Sequence, residues 1–462
     1  MKKLLIYILT AFTVLTLPAS AKIPASQRIR LTDQWEYLKG DLGSIWEAVR
    51  AVAPGSSEAV PIWQPVTLPH CFNAEDAVDP DVNYYQGPGW YRTLLDIQNP
   101  AANGRTILEF EGAGQKTEVL YIYTRKVGSH VGGYDEWSVD ITEAIRKALA
   151  DPDCRKRFNG KVPLSIRCDN SRDTEMIPSD LSDFNVYGGL YRYVNLIYQP
   201  ALSFASFKLE TPVQKDLKSA TLKVQANFYN PNDTRQATVR FTLKDPNGKK
   251  VTEQTATDIL PLGEVHLFDI AIKNPMLWSP DQPQLYTCEF TLQTAEGEQT
   301  VTEQVGFRHF EFVDYGPFKL NGKRLLLKGT HRHEDHAGVG AAMTEEQMVT
   351  EMKLMKEMGV NFIRLGHYQQ SNIILRLCDE LGILVWEEIP WCRGGLGGET
   401  YKIQARRMLT NMITQHHNHP SVILWGLGNE NDWPNDFPTF EQSQIRAFMK
   451  ELNDLAHRLD PS

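Results

Sequence analysis

The 462-residue chain has no basic excess. Its 48 Lys and Arg stand against 57 Asp and Glu, a formal net charge of −9. Binding to a phosphate backbone depends on neutralising cations, so no nucleic-acid partner is expected. Long hydrophobic runs are equally scarce. The one that exists, Leu4 to Leu17, excludes a polytopic membrane protein. Cysteine is sparse too. Cys71, Cys154, Cys168, Cys288, Cys378 and Cys392 show no tight spacing and no CxxC, so most read as buried free thiols. What the chain does have is apolar and aromatic content, 42% and 10%, enough to build cores rather than remain disordered. Its length suits about two to four domains.

The apolar run follows Lys2 and Lys3 and precedes Pro18 and the small residues Ala19-Ser20-Ala21. That order predicts a signal peptide over 1–21, cleaved after Ala21, since the run is short for a membrane span. The mature chain is expected to be periplasmic or secreted, without stable membrane association. Nothing in the composition opposes a homo-oligomer.

Three patterns follow. Over 22–200, short β-rich runs such as Gly89 to Ile97, Arg105 to Glu111, Glu118 to Tyr123, Val162 to Cys168 and Arg192 to Tyr198 alternate with turn residues. They predict a β-sandwich. Over 201–313, Ala220 to Tyr229 and Ala237 to Leu243 are strand-like, with Pro246-Asn247-Gly248 as a turn. A sandwich of about seven strands, immunoglobulin-like, fits this length.

From 314 to 462 the period changes from two to 3.6. Thr344 and Gln347 form a capping box, Met348, Met352, Met355 and Met358 a core stripe, and Gly359 a stop. Ser371 to Gly382 bounds the next helix. Further helices are predicted over Glu399 to His416 and Thr439 to Arg458. Strands begin near 325, 361, 383 and 422, a mean spacing of about 32 residues, close to the ~31 per unit of a (β/α)8 TIM barrel. A doubly wound sheet would open with a glycine-rich phosphate loop, and no G-x-G-x-x-G follows the first strand.

Barrel active sites lie at the C-terminal strand ends. Four such ends carry His331 to His336, Arg364 to Tyr368, Glu387 to Trp391 and Trp425 to Trp433. Glu430, beside Asn429, suits a general acid whose pKa rises by burial against Trp425 or Trp433. Asn429 could hold a substrate hydroxyl, and Trp386, Trp391 and Trp433 could offer a platform for a sugar face. The competing reading is a metal-dependent TIM-barrel hydrolase built on the His331-x-His333 pair.

The motifs resemble glycoside hydrolase family 2, the family of β-galactosidases, β-glucuronidases and β-mannosidases. The resemblance rests on Asn83 to Arg92, Asp183 to Arg192, Asn361-Phe362-Ile363-Arg364 with His367-Tyr368, and Asn418 to Trp425 running into Asn429-Glu430. It implies a jelly-roll sugar-binding sandwich, an immunoglobulin-like sandwich and a barrel. It also implies a retaining exo-β-glycosidase acting on a β-linked oligosaccharide or glycoside, with a β-galactoside as the expected substrate. Glu430 would be the acid/base and Asn429 its sugar-contacting partner. His367 would stabilise the transition state, Arg364 support the site, His333 floor the pocket, and Asp183 reach in from the first domain. Trp391 joins these as a substrate-binding candidate.

Two departures stand out. The usual Arg-Ser/Thr-Ser-His-Tyr-Pro reads Arg364-Leu365-Gly366-His367-Tyr368-Gln369 here. Pro390-Trp391-Cys392 replaces the magnesium ligands of some family members, so no catalytic metal or other cofactor is expected. The family's nucleophile, a Glu on strand seven, would fall at about residue 520. Only the first half of the barrel is then expected within 462 residues, as from a truncated, frameshifted or split gene, with little turnover. A non-catalytic carbohydrate-binding remnant is the alternative.

Overall fold

A computed structural model describes residues 26–50, 60–101, 103–179, 181–230, 236–294, 297–433 and 441–462. The expected signal peptide lies outside the described residues, as does the start of the helix read from Thr439.

Two packed antiparallel sheets form the first part. One orders Gln27–Arg30, Val194–Gln199, Arg105–Phe110 and Trp137–Asp140. The other orders Gln64–Val66, Trp35–Lys39, Pro88–Leu95, Val162–Asp169, Lys116–Ile122 and Arg125–Val131. Their facing apolar positions, including Trp35, Tyr91, Leu108, Phe110, Leu164 and Ile166, make one core. Side chains alternate between the two faces, and Val162–Asp169 is buried on nearly all positions of both. Two short helices, Thr142–Ala150 and Pro152–Arg157, were not legible among the strand signals.

A second pair of sheets follows. Ser203–Glu210, Ser219–Tyr229 and Gly263–Lys273 pack on Lys250–Ile259, Ala237–Lys244, Tyr286–Thr294 and Gly297–Val305. These are the seven strands anticipated. Phe207, Phe241 and Phe290 lie at the centre of the core. The Pro246-Asn247-Gly248 turn closes on Asp245, whose carbonyl accepts from Gly248 N at 2.8 Å.

A small antiparallel sheet, Phe310–Phe312, Phe318–Leu320 and Lys323–Arg324, straddles residue 313. Leu325 N still donates to Phe318 O at 3.0 Å, so the first parallel strand opens at Gly329 rather than near 325. Four parallel strands then pair in chain order: Gly329–Arg332, Phe362–Leu365, Leu384–Glu388 and Val422–Gly426. Helices Glu345–Glu357, Asn372–Leu381, Glu399–His416 and Gln442–Leu459 follow them in turn. The Thr344 capping box forms, and Gly359 and Gly382 end their helices at φ +87° and +69°. Of the methionine stripe, Met348 and Met352 are buried, whereas Met358 is exposed because the helix ends there. All six cysteines are buried and free. Among the described residues, no helix is long and apolar enough to cross a membrane.

The first sandwich is tied to the parallel sheet by buried charge. Arg192, just ahead of Val194–Gln199, donates to Glu334 at 2.8 Å and to the carbonyls of Tyr134 and Gln369, both at 2.8 Å. Glu334 also accepts from Ser371 N at 2.9 Å. Both side chains are 2% exposed. Removing one partner of such a pair leaves an uncompensated buried charge. Arg192→Ala should therefore lose about 3–5 kcal/mol in urea unfolding. Arg146→Ala, whose pair with Glu143 is exposed, should leave the midpoint unchanged. Equal effects would contradict this account.

Candidate active site

The parallel sheet has two unlike faces. Ile363, Leu365, Val385 and Val422 point to the helices and pack with Met352, Ile374, Leu377 and Cys378. The alternate positions, His331, Arg364, Trp386 and Glu388, fall on the other face, because side chains reverse with each residue. Register carries the set across the sheet: His331 pairs with Arg364, Arg364 with Trp386, and Glu388 with Gly426.

Glu388 is the centre of the polar face, fully buried. Arg364 donates to both of its oxygens, at 3.1 and 3.0 Å. His367 Nδ1 lies 2.5 Å from Glu388 Oε1. A carboxylate only accepts, so Nδ1 carries the proton and Nε2 of the neutral ring keeps a lone pair. Arg364 reaches on to Asn429 Oδ1 at 2.9 Å and stacks over Trp386 at 4.6 Å. Gly426 permits this closeness, since a Cβ there would sit 2.4 Å from Glu388 Cβ and 2.5 Å from Trp386 Nε1.

The first sandwich contributes a loop. Ser182 Oγ donates to Cys392 O at 3.1 Å, and the Cys392 thiol donates to Asp183 Oδ1 at 3.2 Å. Phe184 packs beside His333, His367 and Tyr368 at ring separations of 5.5, 6.1 and 5.3 Å. Burial pushes the Cys392 thiol up to about 12.

Asp183, His333, Arg364, His367 and Asn429 thus converge. Glu430 follows Asn429 at the rim, in the left-handed region at φ 48°, and is exposed. Its expected burial against tryptophan is not found. The Trp425 indole is drawn away to Asp460 at 2.8 Å, and Trp433 is itself 49% exposed, with Arg393 over its ring. Trp391 is not a sugar platform either. It is fully buried against Phe448, its indole N–H bound to Gly395 O at 2.7 Å.

Glu388 was the residue sequence reasoning passed over. The adjacent Glu387 points the opposite way, to His416 at 2.7 Å and Gln370 N at 3.1 Å. Strand alternation beside Trp386 was the signal that could have separated them. Gly366, one of the two departures, also gains a reason. A Cβ there would meet His331 Cε1 at 2.7 Å and Glu388 Oε1 at 2.8 Å.

Two groups could hold a metal: His331 with His333 and His367, and Asp183 with His367 and Cys392. In each, the donor atoms lie within 4.8 Å of one another. Burial, then His367, pushes the His331 ring down to about 4, and the same causes hold His333 below its ordinary value.

A family model described as "Glycosyl hydrolases family 2, TIM barrel domain" matches residues 312–462, and "Glycosyl hydrolases family 2" matches 202–308. The chain belongs to glycoside hydrolase family 2. It is 31% identical to a Bacteroides fragilis beta-glucuronidase, over 86% of this chain and 56% of that protein. It is 30% identical to a Thermoanaerobacter pseudethanolicus beta-galactosidase, over 86% of this chain and 49% of the relative. The crystal structure of a Parabacteroides merdae beta-glucuronidase superposes with a TM-score of 0.92 at 69% identity, covering 94% of this chain and 56% of that one. The chain spans about half the length of the curated relatives it matches.

The two strand-three carboxylates should separate experimentally. Glu387→Gln and Glu388→Gln should both lower the urea midpoint, since each loses a buried charged partner. Only Glu388→Gln should also weaken binding of a glycoside ligand, through release of Arg364 and His367. Equal affinity in the two variants would refute the division of faces.

Proposed function

We propose that this chain carries the acid/base half of a retaining exo-β-glycosidase site and that the sugar is a β-linked glucuronic acid. The observation carrying the chemistry is the Arg364–Asn429 hydrogen bond, locked by Glu388 and His367, at the strand end beside Glu430. It holds an amide for the sugar hydroxyl next to the reacting carbon. Glu430 protonates the glycosidic oxygen as the leaving group departs, and a second carboxylate attacks the anomeric carbon. Glu430 then takes a proton from the water that hydrolyses the glycosyl-enzyme. The attacking carboxylate must lie about 5–5.5 Å from the acid. Glu387 and Glu388, committed to His416 and to Arg364 with His367, do not serve. The 462 residues alone are therefore expected to turn over little, if at all.

The likeness to the P. merdae beta-glucuronidase supports a glucuronide, which replaces the galactoside expected earlier. The reading includes a jelly-roll over 22–200, an immunoglobulin-like sandwich over 201–313 and an incomplete (β/α)8 barrel over 314–462. It also keeps the signal peptide over 1–21 and export from the cytoplasm, supported by Lys2, Lys3 and the apolar run.

The test extends the chain to the length of its relatives and compares chromogenic β-glucuronide with β-galactoside. The glucuronide should be preferred, and Glu430→Gln should cost about 10²–10⁴-fold in rate. Preference for galactoside would overturn the substrate, and an unimpaired Glu430→Gln would overturn the acid/base.

A further inference from the structure

We infer that His331, His333 and His367 form a binding site for a borderline divalent transition metal, best matched by Zn²⁺, with the fourth position left to water. His331 and His333 are two apart at the end of Gly329–Arg332, so they face the same side. His367 comes from the end of the neighbouring strand. The ring centroids are 5.0 Å apart for His331 and His333, 4.8 Å for His331 and His367, and 5.4 Å for His333 and His367.

Three features make this a ligand set rather than a stack of rings. The donor nitrogens lie within 4.8 Å of one another. Tetrahedral zinc with Zn–N of about 2.0–2.1 Å needs them roughly 3.3 Å apart, a closure small enough for side-chain rotation. The outer partner is in place, because His367 Nδ1–H is held by Glu388 at 2.5 Å, which leaves Nε2 as its ligating nitrogen. A metal-bound histidine ordinarily has such a carboxylate behind it. Among the described residues, neither His331 nor His333 spends a ring nitrogen on a hydrogen bond, so both lone pairs are available.

The overlapping group of Asp183, His367 and Cys392 is the weaker competitor. Its sulfur must lose a proton to ligate, and it sits buried, donating to Asp183 at 3.2 Å. Three imidazoles and an open position are the donor set of zinc sites that keep a water.

An ion here would not be a cofactor for glycoside hydrolysis. The family resemblance puts His333 at the pocket floor and His367 at the transition state, so under the proposed function ion and glycoside would exclude each other. That consequence rests on the proposed function, whereas the binding itself does not.

Zinc chloride titrated into the purified chain, followed by calorimetry, tests the binding without any turnover. One ion per chain is expected. His331→Ala and His333→Ala should each weaken binding at least tenfold, and Cys392→Ser should leave it unchanged. Circular dichroism checks that each variant is folded, which exposed His331 makes secure. With Cu²⁺ as the probe, electron paramagnetic resonance should show nitrogen hyperfine structure that diminishes in His331→Ala. Absence of binding at millimolar zinc, undiminished affinity in His331→Ala, or weakened binding in Cys392→Ser would each overturn the assignment.

Discussion

Glu334, held between two buried guanidiniums, is the contact on which the geometry of the site depends. Arg192 approaches it from the first sandwich at 2.8 Å, and Arg332 from the first parallel strand at 3.4 Å. Arg332 in turn binds Glu351 through Nε and Nη2, both at 3.0 Å. Charges so deep cost several kcal/mol each to desolvate, and the loss is offset only when nearly every donor and acceptor is used. Arg192 meets that condition with three carbonyls and a carboxylate. The bonds are directional, so the sandwich cannot slide over the strand ends. That immobility is what sets Phe184 and Asp183 against His367.

The sheet then sorts its own chemistry. One face is apolar against the helices except where Arg332 meets Glu351 and Glu387 meets His416, and the other gathers Arg364, Trp386, Glu388 and His331. Adjacent glutamates on one strand end in different environments because the side-chain period is two. Glu388 spends its charge on orienting Arg364 and His367. A carboxylate so used is a positioning group, and its removal would be felt at Asn429 through the shared guanidinium.

Much of this was legible beforehand, and the failures share a cause. The helices over 345–357 and 372–381 were readable because caps, glycine stops and apolar spacing agreed. The convergence of His333, Arg364, His367 and Asn429 followed from strand ends in phase, whereas Asp183 came only through the family resemblance. What sequence could not supply was the direction of a side chain once it left a regular element. Trp391, Trp425 and Trp433 look alike as indoles in a loop. One is buried on Phe448, one is taken by Asp460, and one faces solvent under Arg393. Glu430 likewise depends on a single left-handed residue that turns it to the rim.

The same accounting bears on sugar selectivity. Glucuronic acid differs from galactose in the configuration at C4 and in a C6 carboxylate, and recognition of that carboxylate calls for a cation with donors to spare. Arg364, beside Glu388 on the polar face, has Nε and Nη2 on Glu388 and Asn429. Arg332 and Arg192 are committed to Glu334, Glu351 and main-chain carbonyls. Releasing any of them would strand a buried carboxylate, a cost larger than one surface-accessible ion pair returns. Under the proposed function, the groups gathered on these four strand ends serve what all β-glycosides share, the ring hydroxyls and the leaving oxygen. The charge that separates one sugar from another has to be read by groups other than Arg192 and Arg332, both buried on Glu334.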